Sequence, residues 1–488
     1  MTTITVVEPI RGAKPPDCEY EVMLRESINH FLLEHKRGCS DFSGFESIFF
    51  RLVQAMTDPP LEITWFYSAV TFRGSCKSML GVVVAVKDLF QLLVSCSSQS
   101  DGLKRIAVLA PLVYELYYVV VDCLKRDRHL CLKKEMEGLI DGIVSYISMC
   151  CSNYEWRENG MEILTGSFVE LVRVWTVDRV GKNCEFGDDL RMFFPLVSDE
   201  VVKGISVGSE VSYLAGIVMV EAFFLRLCLK FGLDTSREEL QREMPNWAAQ
   251  TMMGYQNCYY FDMLLRMLLE PTLPVTTLLS SVDEILLHKA LYDVMIVAEY
   301  PFVKSQIWTQ LPGNYLKNLV LTWLLVADIA IEFVREGCDH DRLIAYEDAF
   351  SKSCLPNQLI EWVINQIGME NVSSRPLVST PKALIRWLLS LEGQGVRIFE
   401  HITLKIQANA ALCKSNVLDH RNPNAVSSFY NESDERVENK VDDQEMVDSM
   451  DEAFIPTDCT ATERRNKRKD GRTDEGETRV KLAKLACV

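Results

Sequence analysis

Few residues of this 488-residue chain stand at spacings that chemistry uses. Gly204-Ile205-Ser206-Val207-Gly208 has the pattern of a hydrolase nucleophile elbow, which needs a strand entering the serine, a helix leaving it, and an acid and a histidine further on. The run before it, Ser198–Lys203, reads instead as a helix start, and no oxyanion glycine run accompanies it. A loop between helices is expected there. Cys338-Asp339-His340-Asp341 and the trio Cys123, His129 and Cys131 offer metal-ligand types. Adjacent residues rarely converge on one tetrahedral ion, and no second pair at zinc spacing follows, so these read as polar loops or helix ends. No phosphate-cradling glycine loop, Cys-x-x-Cys or His-Glu-x-x-His is present. The sequence therefore calls for no catalytic set, no cofactor and no metal.

Glu221 stands out for its surroundings. In the apolar run Val211–Phe231, Ser212, Arg226 and Lys230 share one helical face, and Glu221 points the opposite way, into the apolar side. A buried acid is expected to find a cation or hydroxyl on a neighbouring helix, with a functional site as the alternative. Leu265-Arg266-Met267-Leu268-Leu269 and Leu321-Thr322-Trp323-Leu324-Leu325 match the LxxLL pattern of coactivator helices, a spacing that any core helix also has. Near the N-terminus, Ile4, Val6, Val7 and Glu8 lie in a β-prone run beside an acid. That run resembles a SUMO-interaction motif, which binds by adding a strand to its partner's sheet edge.

The strongest address lies near the C-terminus. Arg464, Arg465, Lys467, Arg468 and Lys469 put five positive charges into six residues, and Arg479, Lys481 and Lys484 follow after a nine-residue spacer. An exposed block of this kind is what a nuclear import receptor reads; contact with DNA or RNA is the alternative. The surroundings sharpen it. Residues 421–488 hold 12 Lys/Arg against 16 Asp/Glu, and the residues before them 39 against 52. The body is thus acidic in its own right, which argues against phosphate-backbone binding through its surface and fits protein partners.

The elements that must carry these residues are helices. From about Glu19 to Leu418 one apolar helical segment follows another. Gly38 is expected to close the segment from Tyr20 to Arg37, and Gly232 to close Val211–Phe231. Ser236–Glu239 and Ser281–Glu284 read as capping boxes, and Thr380-Pro381 as an N-cap with proline at the first helical position. Candidate seams lie at 57–60, 270–275 and 371–381. Strand signals are confined to Glu62–Phe72 and the valine run Gly81–Val86, without the rhythm of a parallel-sheet enzyme.

Three stretches are apolar enough to raise a membrane span: Ile106–Leu124, Val211–Phe231 and Leu319–Val334. Each carries charge near its middle, which is costly in hydrocarbon, so buried core helices are expected. Narrow polar stripes are predicted on two of them: Lys104, Pro111, Glu115 and Asp122 on the first, and Lys317, Asn318, Thr322, Asp328, Glu332 and Arg335 on the last. The sixteen cysteines lack pairing motifs, and Cys123, Cys150, Cys151, Cys228 and Cys413 sit inside apolar segments as small hydrophobes. With no signal-peptide pattern at the N-terminus, a reducing compartment is expected, the nucleus with the cytoplasm as the alternative.

Long helices with narrow polar stripes need neighbours on several sides, and in this the chain resembles the HEAT/armadillo class of helical-repeat scaffolds. The resemblance covers residues 20–415 and is architectural, with no internal period or repeat consensus. The predicted fold is all-α, an irregular helical-repeat solenoid or helical bundle. It comprises a flexible segment 1–18, a helical body 19–418 and a disordered tail 419–488, in which Glu432–Glu452 has ten acids and two bases. The function this implies is a non-enzymatic nuclear scaffold or adaptor subunit of a chromatin, DNA-repair or transcription complex, with the import receptor and protein subunits as partners and no membrane. The alternative is a chromatin-associated protein touching DNA or RNA through its basic tail. An α-helical enzyme or membrane protein comes third.

Overall fold

The computed structural model describes residues 17–419 apart from 40, 73–78, 126–129, 153–161, 180–187, 206–207, 233–235, 299, 301–312 and 368–379. The chain divides into two units, Met1–Pro423 and Asn424–Val488, and every described residue lies in the first. The described residues are predominantly helical. In chain order the helices are α1 Asp17–Lys36, α2 Ser43–Ala55, α3 Leu61–Phe72, α4 Met79–Cys96, α5 Gly102–Ala107, α6 Ala110–Lys125, α7 Leu130–Ser152, α8 Phe168–Thr176, α9 Asp188–Phe193, α10 Asp199–Lys203, α11 Val211–Phe231, α12 Arg237–Tyr255, α13 Cys258–Leu268 and α14 Ser281–Tyr292. A π turn, Asp293–Val297, continues α14, and α15 Gly313–Glu336, α16 His340–Lys352, α17 Leu355–Ile367, α18 Pro381–Gly393 and α19 Ile402–Asp419 complete the unit. Among the described residues there is no strand, only an isolated antiparallel bridge between Ile163 and Glu210.

The local signals act through identifiable bonds. Gly38 takes φ +82°, donates to the His35 carbonyl, and the Cys39 N–H reaches Glu34, which is the double bond of a Schellman stop. The Ser236 hydroxyl accepts the Glu239 N–H at 3.3 Å, and the Thr380 hydroxyl that of Ala383 at 3.2 Å. The cap of α14 is Ser280 rather than Ser281: its hydroxyl accepts the Asp283 N–H. Pro111, which has no N–H to give, sits in the first turn of α6, directly after the break at Val108–Leu109 that parts α5 from α6. The Trp65 indole N–H bonds the Val108 carbonyl at 3.2 Å there, and Trp323 does the same for Met295 in the π turn at 3.1 Å.

Both strand-like runs are helical. Leu61–Phe72 is α3, and Gly81–Val86 lies within α4. Ten consecutive residues of α3 are buried, so packing on all sides outweighs the β-preference of its branched and aromatic residues. Ser68 and Thr71 satisfy their hydroxyls on the carbonyls four residues back.

Two helices organise the core. α11 packs against α5, α6, α7, α12 and α13, while α15 packs against α13, α16, α17, α18 and α19. One continuous apolar cluster runs from Leu24 to Ala408, so the connections at 57–60 and 270–275 join helices of the same core. Among the described residues one helical stretch, Gly102–Lys125, is long and apolar enough to cross a membrane; 78% of its most apolar window is buried against the rest of the unit. Cys123, Cys150, Cys151 and Cys228 are buried as expected, but Cys413 is exposed.

Much of each polar stripe is turned away from water, although Arg335 is exposed. Lys104 is only 3% exposed and its ammonium lies 2.9 Å from both Asp58 and Glu162. Glu115 is buried against Arg179 at 2.7 Å. On α15, Lys317 pairs with Glu400 at 2.7 Å and lies over the Trp362 ring at 4.5 Å, and Glu332 pairs with Lys382. At Lys104, Glu115, Lys317 and Glu332 these stripes are seams between helices, where the charge is met by a residue distant in sequence.

Candidate functional site

A groove of about 610 Å³ opens between the end of α13 and helices α14, α15 and α19. Its main wall is one face of α15: Leu325, Asp328, Ile329, Glu332, Phe333 and Glu336. Their spacing of 0, 3, 4, 7, 8 and 11 residues keeps them on one face for three turns, a run of about 16 Å. α14 adds Glu284, Ile285, His288 and Tyr292, and the end of α13 adds Leu268, Leu269, Glu270 and Pro271. α19 contributes Gln407, Ala410 and Ala411, a wall of short side chains.

The groove combines an apolar floor with a charged margin. Phe333 packs edge-on against Tyr292 at 5.4 Å between ring centres and lies 5.8 Å from His288, so aromatic surface forms part of the floor. Ile285 on the lip is 50% exposed, as is Val282 one turn earlier. Five lining residues are acids and none is lysine or arginine. Glu332 is already engaged by Arg335 and Lys382, each at 2.7 Å. Burial pushes the Glu270 carboxyl above its ordinary range, against a hydrogen bond from Ser198.

Glu221 lies elsewhere. It is 1% exposed and accepts the backbone N–H of Leu196 at 2.9 Å, with Val197 as a second donor. Desolvation pushes its carboxyl up to about 8, against the pull of those two N–H groups. The expected cation or hydroxyl partner is replaced by main chain: Glu221 fastens the buried connection between α9 and α10, whose amides would otherwise lack acceptors. It does not line the groove. Glu62 and Glu392 serve the same purpose, accepting the N–H groups of Thr165 at 2.9 Å and of Ile398 at 2.7 Å. The shared polar face expected for Arg226 is also covered: its guanidinium bonds Asp141 and Glu137 of α7.

The Cys338–Asp341 cluster is a helix end. Asp339 caps α16 and pairs with Lys289 at 2.6 Å and Arg342 at 2.9 Å. Burial pushes its carboxyl up, but those two cations outweigh it and hold it at about 2. Arg342 also spans both carboxylate oxygens of Asp293, the first residue of the π turn, which accepts the Tyr346 hydroxyl at 2.8 Å. Among the described residues no group of three His, Cys, Asp or Glu could hold a metal ion. Cys123 is buried, and His129 lies outside the described residues. In the serine motif, Ser198–Lys203 forms the capped helix α10 and Gly204 ends it, while Ser206 lies outside the described residues. Of the LxxLL leucines, Leu265, Leu268, Leu321, Leu324 and Leu325 are core, at most 3% exposed, while Leu269 is half-buried and lines the groove. Ile4, Val6, Val7, Glu8 and the basic residues Arg464, Arg465, Lys467, Arg468, Lys469, Arg479, Lys481 and Lys484 also lie outside the described residues.

Sequence patterns missed the groove because its four walls come from segments spread over some 140 positions. The one local trace is the acid row Asp328, Glu332 and Glu336, repeating every four residues beside Ile329 and Phe333. No family model, no curated protein and no solved structure matches this chain.

Proposed function

We propose that this chain is a scaffold or adaptor subunit of a nuclear protein complex, serving chromatin, DNA repair or transcription, that docks partners on its helical unit rather than transforming a substrate. The observation that carries the reading is the groove between α13, α14, α15 and α19, which is apolar along its floor, three turns long and built on rigid helices. Such a trough suits protein recognition, in which a partner's apolar side chains fill it and polar margins fix orientation. The arrangement of the helices around α11 and α15 favours an irregular bundle over stacked repeats, in which each unit would touch only its neighbours. The basic clusters Arg464–Lys469 and Arg479–Lys484 supply the nuclear address. Nucleic-acid contact through those clusters is the second reading, and the acid margin of the groove disfavours phosphate on the helical unit.

Two measurements test this proposal. A fluorescent fusion of the full chain is expected in the nucleus, and removal of residues 464–484 is expected to redistribute it to the cytosol; an unchanged distribution would sink the address. Affinity purification followed by cross-linking mass spectrometry is expected to place partner cross-links on Lys382, whose ammonium lies 2.7 Å from the groove acid Glu332. Cross-links found only on other lysines, such as the exposed Lys36 at the end of α1, would remove the groove from the function.

A further inference from the structure

We infer that the groove receives an amphipathic helix from a partner protein, with Lys or Arg flanking the apolar stripe of that helix. The inference rests on the groove being a docking site and adds the chemistry of its occupant.

Three features point to this occupant. The α15 face extends for about 16 Å, the length over which a helix presents apolar anchors at positions i, i+4 and i+7 and one turn beyond. Ala410 and Ala411 make the α19 wall shallow, so a second helix can approach closely there, as short side chains at a helix contact allow. Ile285 and Val282 leave apolar surface at the lip that such a helix would cover. The margin then selects the charge. Glu270, Glu284 and Glu336 stand at the ends and lip of the trough with no lysine or arginine among the lining residues, so cations beside the apolar stripe would be attracted and an acidic helix repelled. A phosphate-bearing ligand meets the same repulsion.

The test uses the full chain and a fluorescein-labelled synthetic 16-residue helix with leucine at i, i+4, i+7 and i+11 and lysine at the flanking positions. Its counterpart has glutamate in place of every lysine. Fluorescence anisotropy is expected to show saturable binding of the lysine helix that weakens as salt is raised, and much weaker binding of the glutamate helix. Ala410→Trp, at an exposed position, should fill the trough and lower affinity roughly tenfold. The double reversal Glu284→Lys with Glu336→Lys should lower it by a similar factor, while Glu26→Lys on α1 leaves it unchanged; melting curves confirm that each variant is folded. If Ala410→Trp weakens both helices equally and charge reversal does nothing, the groove docks helices without charge selection. The scaffold reading then stands and this inference is overturned. Binding that ignores both variants, or no binding of either helix, also overturns it. A full chain that sediments as a dimer, and becomes monomeric with Ala410→Trp, would give the groove to a second copy instead.

Discussion

The carboxyl of Glu221 accepts the main-chain N–H of Leu196 at 2.9 Å, inside a helix whose residues from Leu214 to Leu229 are all buried. An ionisable group in the middle of an apolar helix thus acts on the backbone of a remote connection. This explains how so costly a residue is tolerated: it supplies the acceptor that the turn between α9 and α10 cannot find in itself.

The Glu221 contact fixes a pH dependence. Its carboxyl is raised to about 8 in the folded chain from an ordinary value of 4.5. In the unfolded chain it ionises near the ordinary value, so the folded state is favoured most at low pH and loses that advantage as pH rises from about 4.5 through 8. Glu221→Gln keeps an acceptor for Leu196 and removes the ionisation. Melting temperature should therefore change little at pH 5 and rise relative to the parent at pH 8. A difference independent of pH would show that the carboxyl is not shifted. Glu221→Ala, which orphans the N–H groups and leaves a cavity, should cost about 2–4 kcal/mol by urea denaturation.

Arg226 ties α11 to α7. Its guanidinium, 5% exposed, meets Asp141 at 2.5 Å and Glu137 at 2.6 Å. Both acids are partly solvated, so Arg226→Ala should cost about 2 kcal/mol, below the range for fully buried pairs, with Arg226→Met milder because it keeps the packing. Equal losses for both variants in chemical denaturation would mean that the charge, not the packing, carries the whole effect.

Two glycines should respond in opposite senses. A Cβ on Gly102 would run into the carbonyl oxygen of Cys150 at the end of α7, whereas one on Gly138 meets open space. Gly102→Ala is expected to destabilise by about 1–3 kcal/mol, because the clash is with backbone. Gly138→Ala, inside α7, is expected to stabilise by about 0.5–1 kcal/mol through helix propensity. Calorimetry of the two variants checks both signs.

Lys317 anchors α15 to the turn before α19. Its ammonium holds Glu400 at 2.7 Å, and Asn318 adds a 3.3 Å bond to the same carboxylate. Lys317→Met should loosen the wall of the groove that α19 forms. Hydrogen exchange at residues 402–413 is expected to quicken roughly tenfold, the equivalent of one lost charge-assisted bond. Unchanged protection would separate the anchor from the groove.

Helices were legible in the sequence because their signals are local. The apolar period, the Ser236 and Thr380 caps and the stop at Gly38 each act within a few residues, and the structure forms them where the pattern places them. Leu61–Phe72 escaped because a helix buried on every side has no period to read. The polar stripes of α6 and α15 escaped for the complementary reason: a stripe records that a face is polar, not whether water or a distant carboxylate covers it. The partners of Lys104, Glu221, Arg226 and Lys317 are residues 25 to 89 positions away, and only packing brings them together. The groove is of the same kind. Its floor residues read as core and its acids as surface, and tertiary structure alone decided that they meet, because shape between helices depends on contacts that no local pattern encodes.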